Sequence, residues 1–245
     1  MHRFLLGPGE LLAPGRLRVE GEEARHAVRV KRLRAGERVQ VLDGMGGVAH
    51  ATTGSMDPKG RWIELETEPP HRVEPLQPSL EVCAPPPKGD RLAQLIDTLS
   101  QVGVAAYRPL RCARGAEAPS AGKLERLRRV AREAAKQCGR AWVLRIEPEI
   151  DLDAALLPEG GGRVIMADAS GTGVGETGDA PARLLVGPEG GWTDEELGRA
   201  RDAGVGIARF GAHTMRIETA ALCASAILLA DATTTAESGT KRSET

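Results

Sequence analysis

Aromatic side chains are scarce in this chain of 245 residues: Phe4, Trp62, Tyr107, Trp142, Trp192 and Phe210 are all it has. A sheet surface that stacks bases on a row of aromatic rings is therefore excluded as a way of holding RNA. Cysteine is sparse too. Cys83, Cys112, Cys138 and Cys223 lie far apart with no C-x-x-C pair, which argues against a disulfide framework or a structural zinc site and suits a reducing cytoplasm. No metal-ligand spacing occurs elsewhere, so no metal is expected. The opening MHRFLLGPGE has no signal-peptide apolar core. The longest uncharged apolar stretch, 219–230, is too short to span a bilayer, so no membrane partner is expected. No G-x-x-x-x-G-K-[ST] occurs, which excludes a P-loop NTPase.

Net charge is also nearly absent, at -1 from 33 Lys and Arg against 34 Asp and Glu. The balance hides an asymmetry. Residues 108–145 hold 11 basic and 3 acidic side chains, and residues 146–245 hold 8 and 17. A second basic cluster, Arg25, Arg29, Lys31, Arg32 and Arg34, has no acid between its ends. Local charge rather than net charge governs contact with a polyanion, so two basic patches on a neutral chain point to RNA. The same charges could simply solvate helix faces.

Residues 1 to about 70 read as short strands with one helix. Arg16–Val19, Arg38–Asp43, Val48–Thr52 and Trp62–Glu66 are strand-like, and Glu22–Lys31 is helical. PPHRVEPLQP, residues 69–78, has the composition of a linker. The expected division is 1–72, 73–234 and a disordered polar tail, 235–245. After the linker, strands alternate with helices: strands at Leu80–Ala84, Val104–Leu110, Arg163–Ala167, Arg183–Val186 and Ile207–Phe210, with helices among them. That order predicts a mainly parallel α/β sheet. Asp90 is placed as the cap of one helix and Thr193-Asp-Glu-Glu196 as the capping box of another.

Three glycine-rich stretches follow strands. SGTGVG, 170–175, has an incomplete dinucleotide fingerprint and no helix after it, so a surface loop is expected there. LLVGPEGGWTDEE, 184–196, runs from a buried strand through Gly187, Pro188, Glu189, Gly190 and Gly191 into a helix. Glycines at such a place let backbone approach a ligand, in the crevice where parallel sheets bind one. ARFGAHTMRIETAA, 208–221, repeats the pattern and puts Arg216 and Glu218 at the start of an apolar helix.

VGPEGGWTDEE followed closely by FGAHTMRIETAA resembles the ribosomal RNA small-subunit methyltransferase E family, among the knotted SPOUT methyltransferases. Arg3-Phe4, HAVRVKRLRAGE at 26–37, Lys88-Gly-Asp-Arg91, Val102-Gly103-Val104 and Glu133-Ala-Ala-Lys-Gln137 with Arg140 are similar to the family's other motifs. The resemblance implies a PUA-like RNA-binding β-barrel, then a SPOUT α/β domain with a C-terminal trefoil knot. It implies a homodimer that methylates N3 of one uridine in 16S ribosomal RNA of the small subunit. It also implies S-adenosylmethionine (SAM) held by three loops: Met166, Ala167 and Asp168; Gly187 to Gly191; and Phe210, Gly211, Thr214, Met215 and Arg216. Arg3, Arg25, His26, Arg29, Arg32, Arg34, Lys88, Arg129, Arg132 and Arg140 are the candidate RNA contacts.

On this reading Arg216 stabilises negative charge developing on the uracil carbonyls, and Glu218 or Glu189 takes the N3 proton. Other readings stay open: methylation of a ribose 2′-hydroxyl by a SPOUT enzyme, a non-catalytic RNA-binding or ribosome-assembly protein, and, on SGTGVG alone, a nucleotide-dependent oxidoreductase.

Overall fold

The computed structural model describes residues 1–7, 10, 13–157, 159–173, 178–230 and 232. The tail expected at 235–245 and residues 174 and 175 of the first glycine stretch lie outside them. Two compact units form. The first comprises Met1–Pro75 with Ala135–Val143, and the second comprises Leu76–Ala134 with Leu144–Thr245.

The first unit contains β1 (His2–Leu5), β2 (Gly15–Glu20), α1 (Gly21–Arg25), β3 (Arg38–Leu42), β4 (Gly47–Met56), β5 (Trp62–Thr67) and β6 (His71–Arg72). The strand order is β1-β3-β4-β5-β2, with β6 paired to β4. All pairs are antiparallel except β1 with β3. Alternation along the strands puts Phe4, Val39, Val41, Ala51, Ile63 and Leu65 in one buried cluster with Ala24 and Ala27 of the helical segment. α1 continues as a π-helical turn, His26–Val30. The linker composition of 69–78 hides β6, whose His71 and Arg72 pair with Val48 and Gly47.

Arg3 acts inside this unit. Its guanidinium donates to the carbonyls of Gln137 at 2.9 Å and Lys136 at 3.3 Å, and to Gln40 Oε1 at 3.1 Å. A cation capping the last carbonyls of a helix also complements the helix dipole. A Cβ on Gly139 would stand 2.7 Å from that guanidinium, so the glycine makes room for the cap.

His2 packs edge-on to Phe4 and stacks on His26, with centroids 6.1 Å apart. Burial, then the charges of His26 and Lys136, push its imidazole down to about 4 from the ordinary 6.5. Between those values the unfolded chain binds more protons than the folded one, so stability present above pH 6.5 is lost as pH falls through 4. Thermal melts across this window are expected to slope less for His2→Leu than for wild type. Equal slopes would contradict the assignment.

The second unit contains β7 (Leu80–Ala84), α2 (Arg91–Val102), β8 (Ala106–Arg111), α3 (Ala121–Cys138, whose end groups with the first unit), β9 (Arg145–Ile146), β10 (Ile150–Asp151), α4 (Leu152–Ala155), β11 (Arg163–Thr172), β12 (Ala182–Val186), α5 (Asp194–Asp202), β13 (Gly206–Ala208) and α6 (Ile217–Leu228). The sheet order is β10-β8-β7-β12-β11-β13, with β9 beside β8, and every pair is parallel. The expected parallel α/β sheet is therefore present. β12 reads ARLLV and is buried throughout, as a central parallel strand requires. No helix among the described residues is long and apolar enough to cross a membrane.

A partly buried ion triad crosses three strands. Glu81 on β7 accepts from Arg108 at 2.8 Å and from Arg183 at 2.6 Å. Arg183, 7% exposed, also donates to the carbonyl of Leu157 beyond α4. Burial alone would push the Glu81 carboxyl up, but the two guanidiniums outweigh it and hold it below the usual carboxylate range.

Two local expectations are corrected. Asp90 precedes α2 with helical backbone angles and makes no side-chain cap bond. Its carboxylate is 98% exposed, because an αR residue does not aim its side chain at the first amides. The surface loop expected at 170–175 is strand as far as Thr172. A Cβ on Gly171 would lie 2.6 Å from the Ile207 carbonyl, so that glycine serves the close approach of β11 to β13. By contrast, Thr193 and Glu196 form the complete capping box of α5, and Gly103 ends α2 at φ 100°.

Candidate active site

Three neighbouring parallel strands end on one side of the second sheet, and the chain leaving each lines a common cavity of about 330 Å³. β11 contributes Ala167, Asp168 and Ala169. The loop after β12 contributes Gly187, Pro188 and Gly191, with Val186 and Trp192 at its ends. The loop after β13 contributes Arg209 to Met215, and α6 adds Ile217 and Ala220.

Local sequence explains this shape. β12 delivers Gly187 directly against the indole of Trp192, where a Cβ would lie 2.9 Å from the ring. Trp192 is itself 7% exposed and donates from Nε1 to the Ala167 carbonyl at 3.0 Å. The ring therefore ties the second loop to the first. Gly191 closes a turn onto the Pro188 carbonyl at 2.9 Å with φ +69°, a conformation that favours glycine. Glu196 is 1% exposed. It accepts from the Thr193 amide and from the Ala113 amide at 2.8 Å, so the α5 cap also fastens the chain after β8. Arg114, from that same stretch, donates to the Gly190 carbonyl at 2.7 Å. In the third loop, a Cβ on Gly211 would meet Met215 Cε at 3.1 Å.

A family model for the RNA methyltransferase domain matches residues 74–229, and one for the RNA methyltransferase PUA domain matches residues 19–65. The chain is 30% identical over 226 residues to the ribosomal RNA small subunit methyltransferase E of Mycobacterium tuberculosis, covering 84% of this chain and 83% of that protein. It belongs to the ribosomal RNA small subunit methyltransferase E family. The Synechocystis member is 28% identical over 228 residues, covering 89% of this chain and 74% of that protein. The crystal structure of the Neisseria gonorrhoeae member, bound to S-adenosyl methionine, superposes with a TM-score of 0.81 at 27% identity, covering 93% of this chain and 96% of that one.

Within this family member, most of the cofactor residues expected from sequence meet at the cavity: Ala167, Asp168, Gly187, Pro188, Gly191, Phe210, Gly211, Thr214 and Met215. Met166, Glu189, Gly190 and Arg216 do not line it. Met166 is fully buried in the core with Leu152, Leu185 and Ala200, because strand alternation sends it to the face opposite its neighbours. Trp192, Arg209 and Ile217, which also line it, were missed. The indole directly after the glycine run was the available signal for Trp192.

The expected catalytic residues sit at the start of α6 and in the loop after β12. Arg216 precedes α6 in extended conformation, is exposed, and forms no ion pair among the described residues. It does not hold Glu218 or Glu189. Arg91 holds them instead, with Nη1 3.2 Å from Glu189 Oε1 and 3.7 Å from Glu218 Oε1.

Of the RNA candidates, Arg25, His26, Arg29, Arg32, Arg34, Lys88 and Arg129 are exposed, whereas Arg132 and Arg140 are half-buried. Arg32 is the one non-glycine residue with positive φ among those described, at 55°. It follows the π-helical turn, a feature often associated with functional sites.

Proposed function

We propose that this chain transfers a methyl group from SAM to N3 of one uridine of 16S ribosomal RNA in the small ribosomal subunit, as a homodimer with a trefoil-knotted second domain. The observation that carries the proposal is the meeting of three loops, from adjacent parallel strands, in one cavity within a member of this family.

The residues present fit SAM. The cavity, about 330 Å³, lies within the range of small-molecule sites. Val186, Met215 and Ile217 offer apolar walls for a flat base, the glycine loops offer backbone donors and acceptors, and Asp168 offers a carboxylate for hydroxyl groups. When bound, SAM supplies an electrophilic methyl on a sulfonium. The chain's own residues do the rest. The Gly187 and Gly191 loop orients the reactants and makes the step effectively unimolecular. Arg216, exposed and not engaged by a carboxylate among the described residues, is available to the uracil carbonyls as negative charge develops on them. A carboxylate, Glu218 or Glu189, takes the N3 proton.

Purified protein is incubated with small subunits lacking the modification and with SAM, and the RNA is then digested for nucleoside mass spectrometry. The expected product is 3-methyluridine. A 2′-O-methyl nucleoside would move the reaction to ribose, and no calorimetric uptake of SAM would leave a non-catalytic RNA binder.

The exposed basic cluster is proposed to grip RNA. Changing Arg25, Arg29, Arg32 and Arg34 together to Glu is expected to weaken RNA binding at least about tenfold and to flatten its salt dependence. SAM uptake should be unchanged. Unaltered RNA affinity at low salt would mean the cluster is only a solvated face.

The dimer is proposed from α6. Ala221, Ala224, Ser225 and Leu228 are buried, while Ile227 is left 45% exposed and Leu222 and Cys223 are half-buried. A two-fold contact would cover this side. Light scattering is expected to give about twice the chain mass of 25.9 kDa, and a monomer mass at micromolar concentration would count against it.

A further inference from the structure

Arg91 opens α2, and one of its nitrogens reaches two carboxylates from distant parts of the chain. Nη1 donates to Glu189 Oε1 at 3.2 Å and lies 3.7 Å from Glu218 Oε1, an ion-pair distance rather than a hydrogen bond. A single guanidinium thereby connects the start of α2, the glycine loop after β12 and the first turn of α6. The two carboxylates differ. The Glu189 side chain is 51% exposed, so water can satisfy it. The Glu218 side chain is 12% exposed, and its Oε2 is shielded from solvent with no hydrogen-bond donor among the described residues. A buried acceptor without a donor is costly, and in a native protein it calls for an explanation such as a ligand that completes it. Ile217 and Ala220, on the same helical turn, line the cavity, as do Pro188 and Gly191 on either side of Glu189.

We propose that Glu218 accepts the uracil N3 proton on Oε2, and that Arg91 is a positioning residue that holds the same carboxylate by Oε1. This rests on the uridine-N3 reading above. The N3–H bond breaks and the proton passes to Oε2. The electron pair stays on N3 and forms the new bond to the methyl carbon, while the pair of the broken sulfur–carbon bond leaves with sulfur. The positive sulfonium and the negative carboxylate become a neutral thioether and a neutral carboxylic acid, so charge balances, and the acid returns its proton to water before the next turnover. Glu189 anchors the guanidinium from the loop side. Its closer contact takes the hydrogen bond, which leaves Glu218 held by charge alone.

The test is a double-mutant cycle in single-turnover methylation of small subunits, with SAM calorimetry and thermal melts on every protein. Glu218→Gln is expected to lower the rate at saturating RNA by about 100-fold or more, the usual size of a general-base contribution. Arg91→Met should lower it by about tenfold or more with little change in the RNA concentration for half-saturation. The double variant should be no slower than Glu218→Gln alone, because Arg91 acts through Glu218. SAM affinity should stay within about threefold throughout, and Arg91→Lys should recover part of the rate because it keeps the charge. If Arg91→Met does not fold, the same cycle is run with Arg91→Lys. Losses that multiply in the double variant would overturn the assignment, as would a Glu189→Gln variant that loses as much rate as Glu218→Gln. A wild-type protein that makes no 3-methyluridine takes away the uridine reading and this inference with it. Multiplying losses on a wild type that does make it remove the Arg91–Glu218 assignment alone.

Discussion

Gly187→Val is expected to abolish measurable SAM binding. A Cβ at this position would stand 2.9 Å from the Trp192 ring and 3.0 Å from its Nε1. The indole has no room to yield, since it is 7% exposed and tied to the Ala167 carbonyl at 3.0 Å. Either the ring leaves, and the cavity loses a wall and the tie between two of its loops, or the loop after β12 shifts. Overpacking of this kind costs about 1–3 kcal/mol, and with the lost wall the expected fall in affinity is at least about 100-fold. Gly190→Val should do far less. Gly190 does not line the cavity, its φ is not positive, and a Cβ there would meet only the Arg114 side chain, at 3.2 Å. The glycine pair 190–191 therefore divides, with Gly191 constrained by φ +69° and Gly190 comparatively tolerant. Calorimetry with SAM, backed by circular dichroism to confirm folding, checks both variants. Wild-type affinity in a folded Gly187→Val protein would remove this loop from the cofactor site.

Arg216→Ala is expected to lower turnover by about two to three orders of magnitude, the range for loss of one preorganised donor, with SAM affinity nearly unchanged. The structure makes this a clean substitution. Arg216 is exposed and makes no cap bond to α6, so its removal breaks no side-chain hydrogen bond or ion pair among the described residues and should leave the melting temperature in place. A surface arginine would give near-normal methylation. Arg216→Lys should recover little, because a point charge does not reproduce the planar fork. Single-turnover rates at saturating SAM and RNA decide the matter. Retention of more than about a third of the wild-type rate, a change under ~1 kcal/mol, would mean that Arg216 is not catalytic.

Much of the site was legible because it is local. A buried apolar run, a glycine-proline turn and a capping box sit within 184–196, and each depends on residues a few positions apart. The loop after β13 was legible for the same reason. Arg3 was less so: Gly139 and the end of α3 recruit it as a cap, and nothing near position 3 announces a partner more than 130 residues away. Gly171 was misread because a glycine that admits a neighbouring backbone looks, in sequence, like one that admits mobility.

The sequence by itself determined the alternation of strands and helices, the two glycine loops that follow buried strands, the basic run at 25–34 and the family. These follow from periodicity, backbone freedom and motif order, all properties of short stretches. Only the tertiary structure decided which cation meets which carboxylate. The sheet order places β7 beside β12, and through it Arg91 reaches Glu189 across 98 positions of chain and Glu218 beyond that, while the nearby Arg216 stays free of both. Ion pairing depends on distance in space, and in a parallel sheet that distance is set by the order of the strands and not by their spacing in sequence.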